Sequence, residues 1–483
     1  MKNKLLLLFF LVCGTSGLFA QKQGNFWVFG QGGALNFNNT PPTAVSGSQV
    51  FGDPSLPGDY LYSEGSASIS DSTGNLLFYS NGEKVWNASN NIMPHGDSLK
   101  GFYSSTTAAF IVPVPMSDSL YYLFTTDGIE RYLQNGLRYS LIDMCLDNGK
   151  GDIISDEKNI LLLDTVGEKL CAVAQPSGPN IWLIAHKHFT NSFYAYLITP
   201  SGINAPVISS VGSIHTGNMS YYDGCGTAIG QMKASSDGSR IGLAFSNVSP
   251  EVAEVFDFDP LTGIINNPIS LAPNVGNYGV EFSPDNTKFY LTSINGIYQF
   301  DLSAGSPAAI NTSKVQITNS SCIPGPIQLG PDGKIYAARC SNYLGVINAP
   351  NNSGASCNYV DTSISISPCN NNTSLPVFIA GYHYKNNKNP KCSTTGIDIY
   401  SISNEQLIFP NPFSTETTLH TDSFLKEATL TFYNIFGEQV KQLKNISGQS
   451  ITIHRDNLQS GIYFIRLTQG DKVVAMDKLV VID

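Results

Sequence analysis

The chain has 483 residues, of which only 13% are charged, with 37 acidic against 27 basic side chains and a net charge of −10. That balance offers no basic footprint for a phosphate backbone and excludes nucleic acid as an expected partner. Charged residues make up roughly 25% of an average globular chain. Here Ser, Thr, Asn, Gly and Tyr supply the polarity instead, a mixture suited to many short strands joined by tight turns.

In chain order, Lys2 and Lys4 precede the apolar run Leu5 to Val12, and small residues from Gly14 to Ala20 end just before Gln21. This layout predicts a secretory signal peptide over residues 1–20. The run is shorter than the roughly 20 residues that span a bilayer, and no later segment is apolar enough to do so, so no transmembrane segment is expected.

From residue 21 to residue 384 the sequence repeats one plan: an apolar strand, a polar turn, and a second strand rich in Tyr, Phe, Ile and Leu. The turns fall near Gly74, Ser119, Asn180, Gly238, Asn286 and Gly333, at the spacing of four-stranded propeller blades. A tight hairpin needs positive φ, which Gly and Asn tolerate, while Pro ends the donor row of the preceding strand. The two clearest copies run from Glu281 through Ser283-Pro284-Asp285-Asn286 to Leu291, and from Gln328 through Gly330-Pro331-Asp332-Gly333 to Ala337. These copies resemble TolB-like propeller repeats. The stretches Glu64 to Tyr79 and Ile181 to Leu197 resemble a WD40-like propeller family of exported Bacteroidota proteins, most of whose members have no assigned activity. The expected fold is all-β, a seven-bladed propeller. Its seventh blade would combine the hairpin Phe26–Phe29 and Ala34–Phe37 with strands around Ile364–Ile366 and Val377–Tyr384, closing the ring in one sheet.

The signatures of common hydrolases and nucleotide enzymes are missing: Gly-x-Ser-x-Gly, His-Glu-x-x-His and Gly-x-x-x-x-Gly-Lys do not occur. No pattern requires a cofactor. Loops entering the innermost strands would line one mouth of the channel, which makes Glu64, Ser105, Lys169, Asp223 and Asn277 the candidate ligand-binding residues. His186 and His188, two apart on a strand, would place both imidazoles on one side, as a shared metal requires. The expected role is non-catalytic recognition, adhesion or surface structure, with a glycan or another surface protein as ligand. The alternative is a polysaccharide hydrolase or lyase using carboxylates at the mouth, drawn from Glu64, Glu130, Asp143 and Asp223.

After removal of Cys13 with the signal peptide, eight cysteines remain, an even number that permits disulfides in an exported chain without choosing among 105 pairings. Pairing of neighbours such as Cys357 and Cys369 is one expectation. A hydrophilic linker over residues 385–404 leads into a β module over residues 405–483. There Phe409-Pro410-Asn411-Pro412-Phe413, the strand ending at Gly437, and Ser460-Gly461-Ile462-Tyr463 follow in an order that resembles the type A C-terminal sorting domain of type IX secretion cargo in Bacteroidota. The resemblance implies an Ig-like β-sandwich, engagement of the type IX machinery through Pro410, Asn411, Pro412, Phe413, Gly437, Gly461 and Tyr463, and delivery through the periplasm to the cell surface or medium.

Overall fold

The computed structural model describes residues 22–50 except 31, 63–215 except 177, 226–246, 253–271, 276–319, 325–339, 341–367, 374–381, 392, 408–434, and 437–483 except 471. The expected signal peptide, Asp223 and all of the expected linker but Cys392 lie outside these residues. The chain divides into two compact units, Met1–Cys392 and Ser393–Asp483.

The described part of the first unit is a succession of seven small sheets. The first holds Phe26–Phe29, Gly33–Asn36 and Thr43–Ser46. The second is built on Gly65–Ser70, Leu76–Ser80 and Val85–Asn87. The third starts with Ala109–Pro113, the fourth with Val166–Ala174, the fifth with Met232–Ala234, the sixth with Val280–Phe282 and the seventh with Ile327–Leu329. Within each sheet, consecutive strands pair as antiparallel meanders, so neighbouring elements of sequence become neighbours in space.

Each sheet buries its apolar faces against the next. Val28 and Ala34 of the first sheet pack on Tyr79 and Trp86 of the second. Ile69 and Phe78 meet Ile111 and Leu123 of the third, and Phe110 and Phe124 meet Leu170 and Leu183 of the fourth. Val173 and Ile184 meet Ile241 and Leu243 of the fifth, whose Val255 joins Phe282 and Phe289 of the sixth. Tyr290 and Ile297 pack on Ile327 and Ile335 of the seventh. The succession returns to its start where Trp27, Phe29 and Leu35 pack on Tyr336, Leu344 and Val346. This is a propeller-like all-β architecture.

The turn chemistry follows the sequence pattern. Gly74, Gly238, Asn286 and Gly333 all have positive φ, between 61° and 93°. In two of these turns one carboxylate oxygen organises the chain: Asp237 Oδ1 accepts from Ser235 Oγ and Ser239 N, and Asp285 Oδ1 accepts from Ser283 Oγ and Thr287 N.

Closure differs from the expected mixed blade. The first sheet contains only the amino-terminal strands, and Ile364 lies in the outer strand Tyr359–Ser365 of the seventh. Leu375–Pro376 instead pairs in parallel with Gly65 and Ser66 of the second sheet, on the inner side of its first strand. The chain continues across to the fourth sheet, where Ala380 N donates to Ala172 O at 3.2 Å. The physical reason is that the first hairpin already has an apolar partner on either side, whereas the inner edge of Gly65–Ser70 still has backbone groups to satisfy.

A disulfide joins Cys145 to Cys392 across 247 residues of sequence. Cys357, for which Cys369 is a conceivable partner by sequence, is a buried free thiol, as is Cys171. Cys369 lies outside the described residues.

The second unit is one continuous sheet rather than two separate ones. Glu416–Tyr433 and Gln439–His454 form a long hairpin with several register shifts. Ile408–Phe409 pairs with one end of the first long strand and Gly461–Gln469 with the other. These irregularities let the long strands bend, so that a single sheet encloses one core of Leu419, Leu430, Phe432, Ile453, Ile465 and Leu467, in a sandwich-like form. Tyr463, Ile465 and Leu467 point inward while Ile462 and Phe464 are exposed. Asn411 fastens the segment before the hairpin: its Nδ2 donates to Lys478 O at 2.9 Å and its Oδ1 accepts from Val480 N at 2.9 Å. Phe413 follows into the core. Gly437 takes the positive φ of the hairpin turn, at 81°, and the Tyr463 hydroxyl donates to Gln459 O at 2.8 Å.

Two stability outcomes follow. Trp27→Ala removes a fully buried ring from the contact between first and last sheets. Urea unfolding should show a loss of about 3 to 5 kcal/mol, and a loss under about 1 kcal/mol would contradict the closure described. Asn411→Ala breaks two backbone hydrogen bonds in the second unit and should lower its stability by roughly 1 to 3 kcal/mol, read as a fall in the melting temperature of residues 405–483 followed by amide exchange.

Candidate functional site

The segments entering the innermost strands carry several ionisable side chains that interact with one another. Glu64 directly precedes Gly65–Ser70, and Ser104 to Thr107 lead into Ala109–Pro113. Glu168 and Lys169 open the strand Val166–Ala174, and Asn277 and Tyr278 precede Val280–Phe282. A propeller-like ring brings these positions together because each innermost strand starts at the same end of the central channel.

The groups are joined by hydrogen bonds that cross between sheets. The Tyr278 hydroxyl donates to Glu64 Oε2 at 3.0 Å, linking the sixth sheet to the second. Glu168 accepts from Thr106 N at 2.9 Å and Thr106 Oγ1 at 3.0 Å with one oxygen, and from Ile129 N at 2.9 Å with the other. Thr106 Oγ1 also accepts from Gly230 N at 3.2 Å. Ser104 Oγ donates to Glu130 Oε1 at 2.7 Å. Ser105 and Thr126 share a hydroxyl contact of 2.7 Å. Lys169 Nζ donates to the carbonyls of Thr227, Ala228 and Ile229 at 2.8, 2.8 and 2.6 Å, which satisfies all three of its protons. Side-chain hydrogen bonds therefore tie several sheets together at this end of the channel.

Exposure sorts the sequence candidates. Ser105, Lys169 and Asn277 are fully buried. Glu64 is partly exposed, together with Ser104, Glu130 and Tyr278. Asp223 lies outside the described residues. Of the other carboxylates considered, Asp143 sits on the strand Leu137–Asp143, the third of its sheet, and accepts from Cys145 N.

Burial shapes the charges. Loss of hydration, then repulsion from Glu168 and Glu130, pushes the Glu64 carboxyl well above its ordinary value, against the hydrogen bonds of Tyr278 and Ser104. Burial, with repulsion from Glu130, raises Glu168 to about 7 despite its three donors. Burial pulls Lys169 down to about 7, opposed by Glu168. The three carbonyl acceptors around Nζ favour the ammonium form, and we read Lys169 as a cation near neutral pH.

His186 and His188 lie at the end of the strand Ile181–Lys187 and are each 1% exposed, as is His215. His186 and His215 stack with ring centroids 3.4 Å apart. No ring nitrogen of the three has a hydrogen-bond partner among the described residues, and no cluster of three or more His, Cys, Asp or Glu residues arranged to hold a metal occurs among them either. Burial, with Lys169 next in importance for His188, lowers His188 to about 4. Burial likewise holds His186 and His215 well below the ordinary imidazole value, with Lys169 and the neighbouring rings adding to it.

The sequence reading missed Glu168, Tyr278 and His215. The pair Glu168-Lys169 ahead of the apolar run Leu170–Ala174 was a usable signal, because adjacent charges at the start of a buried strand must find partners. His215 stands alone in sequence and carried none.

A histidine whose folded pKa lies below its unfolded value leaves stability intact above about pH 6.5 and removes it as pH falls toward the folded value, because the unfolded chain binds the proton first. His188→Gln should therefore gain on the parent protein as pH falls from about 6.5 to 4, by roughly 3 kcal/mol. Glu168 has the opposite sign: its raised value costs stability as pH rises from about 4.5 to 7. Glu168→Gln should gain on the parent in that direction, and parallel stability curves for parent and variants would contradict both assignments.

Residues 407–482 match the family model of the secretion system C-terminal sorting domain. No curated protein is significantly similar to the chain. Among solved structures, it is similar to PorZ, an essential bacterial surface component of the type-IX secretion system of Porphyromonas gingivalis, at 13% identity and a TM-score of 0.35, covering 93% of this chain but only 63% of PorZ. It is also similar to the Kuenenia stuttgartiensis hydrazine synthase, at 12% identity and a TM-score of 0.40, covering 66% of this chain and 90% of that one. A third is the virginiamycin B lyase of Staphylococcus aureus, at 12% identity and a TM-score of 0.35, covering 65% and 84%. These likenesses carry no functional argument. No helix among the described residues is long and apolar enough to cross a membrane. The carboxy-terminal module is a sorting domain of the type IX secretion system, and the protein is exported to the cell surface or the extracellular space.

Proposed function

We propose that the first unit is a seven-bladed propeller of an exported Bacteroidota protein, serving as a non-catalytic recognition, adhesion or surface-structural element. The observation that carries this reading is the use made of the polar groups at the strand-entry end. Glu168, Lys169 and Ser105 are tied to backbone or hydroxyl partners inside the ring, so they hold a surface in shape and leave recognition to Glu64, Glu130, Tyr278 and the loops around them. A glycan or a neighbouring surface protein fits such a rim of hydroxyl, phenol and carboxyl groups. His186 and His188 would take a metal only if their rings turned toward a common point.

The alternative of a polysaccharide hydrolase or lyase is favoured by one feature: Glu64 has a raised pKa and touches a phenol, as a general acid would. The two readings separate on a panel of bacterial and host polysaccharides. Binding on a glycan array without product release supports recognition. Turnover that is abolished in Glu64→Gln overturns it.

Delivery is tested separately. A chain lacking residues 405–483 should accumulate in the periplasm, detected by fractionation and surface labelling, and normal surface display of that truncation would refute dependence on the sorting domain.

A further inference from the structure

Away from the strand-entry end, the first unit contains a cavity of about 290 Å³, near the lower end of the range for small-molecule sites. It lies among the middle and far ends of the innermost strands. Aromatic rings from four places line it: Trp27, Phe110, Phe282 and Phe378. Phe378 belongs to the segment that crosses the channel, so that segment forms one wall.

Three polar side chains from successive sheets converge on this cavity: Lys233, Glu281 and Gln328. All are buried. Glu281 Oε1 accepts from Phe282 N at 3.0 Å, and Oε2 accepts from Leu329 N at 2.9 Å and stands 3.8 Å from Lys233 Nζ. Gln328 Oε1 accepts from Lys233, and Gln328 Nε2 donates to Leu329 O at 3.0 Å. An ammonium has three protons and a primary amide two. One Lys233 proton and one Gln328 proton therefore have hydrogen-bond partners, with Glu281 standing near Lys233 at ion-pair distance, and each group keeps a donor with no hydrogen-bond acceptor among the described residues. Each Glu281 oxygen already accepts a backbone N–H, and an oxygen supplied by a ligand is the complement of the donors left over on Lys233 and Gln328.

Charge narrows the ligand further. Lys233 and Glu281 neutralise each other, and an anion brought against these buried groups would leave one negative charge uncompensated, at a desolvation cost. The geometry points to a binding site for a small neutral aromatic molecule that carries a carbonyl or amide oxygen, its ring held against Phe110 and the contacting pair Trp27 and Phe378, and its oxygen received by Lys233 and Gln328. This site is separate from the rim around Glu64 and does not depend on what that rim binds.

The test uses the full exported chain. Crystals soaked in 4-bromobenzamide should show an anomalous bromine peak inside the cavity, with the amide oxygen toward Lys233 and Gln328. By calorimetry or ligand-observed NMR, benzamide should bind more tightly than benzoate. The paired change Lys233→Met with Glu281→Gln removes the donor while leaving the cavity neutral. It should weaken benzamide about tenfold and leave toluene binding unchanged. Gln328→Leu, which keeps the Lys233–Glu281 pair, serves if the double variant does not fold, and should cost a several-fold loss of benzamide affinity. Bromine absent from the cavity, tighter binding of benzoate, or equal losses for benzamide and toluene would each overturn the assignment.

Discussion

The contact between Trp27 and the seventh sheet is what makes the first unit a ring. Six sheet-to-sheet faces follow directly from the order of the chain, and local hairpins would form them in an open stack as well. The face between first and last sheets joins residues more than 300 positions apart, and Trp27, packed within about 5 Å of both Phe37 and Tyr336, fills it. Without it, two apolar sheet faces would meet water. Each remaining interface is held in register by its neighbours on either side, so the cost of losing one is shared around the circle. A closed circle also fixes where the innermost strands begin, and that in turn brings Glu64 within reach of Tyr278.

Much of this architecture was legible in local sequence. Ser-Pro-Asp-Asn and Gly-Pro-Asp-Gly announce tight turns because a carboxylate two positions after Ser or Gly can cap the turn while Asn or Gly accepts positive φ, and the turns at Asn286 and Gly333 do so. The alternation of Tyr463, Ile465 and Leu467 with exposed Ile462 and Phe464 reports the inner face of the sorting domain directly. The route of residues 374–381 was not legible. Val377, Phe378 and Ile379 form an apolar run that suits a blade strand or a channel lining equally well, and the choice depends on an edge of Gly65–Ser70, some 300 residues away. The Glu64–Tyr278 hydrogen bond has the same character, since its partners stand 214 positions apart. At the candidate site, residue type and position in the repeat grouped Glu64, Ser105, Lys169 and Asn277 at one end of the channel but did not tell which side chains remain accessible there. Ser105 and Ser104 are neighbours in sequence, yet one is sealed in and the other reaches the rim.

The two ends of the channel follow opposite physical rules. At the entry end, carboxyl, phenol, hydroxyl and amine groups satisfy each other and the backbone across sheets. Toward the other end, rings dominate and a small charge-balanced triad is set among them. Buried ion pairs contribute little net stability compared with apolar packing, so Lys233, charge-balanced by Glu281, is better understood through the donor it aims into the cavity than as half of a stabilising contact.

The disulfide between Cys145 and Cys392 sets a path for mechanical load. A pull on the carboxy-terminal module travels along the chain to Cys392 and passes through sulfur into Cys145, just beyond the strand Leu137–Asp143 of the third sheet. It does so before reaching residues 374–381, which are held by only a few backbone hydrogen bonds inside the channel. Traction on the sorting domain during export would therefore fall on a covalent bond and a multi-stranded sheet before it reached the strand that walls the cavity.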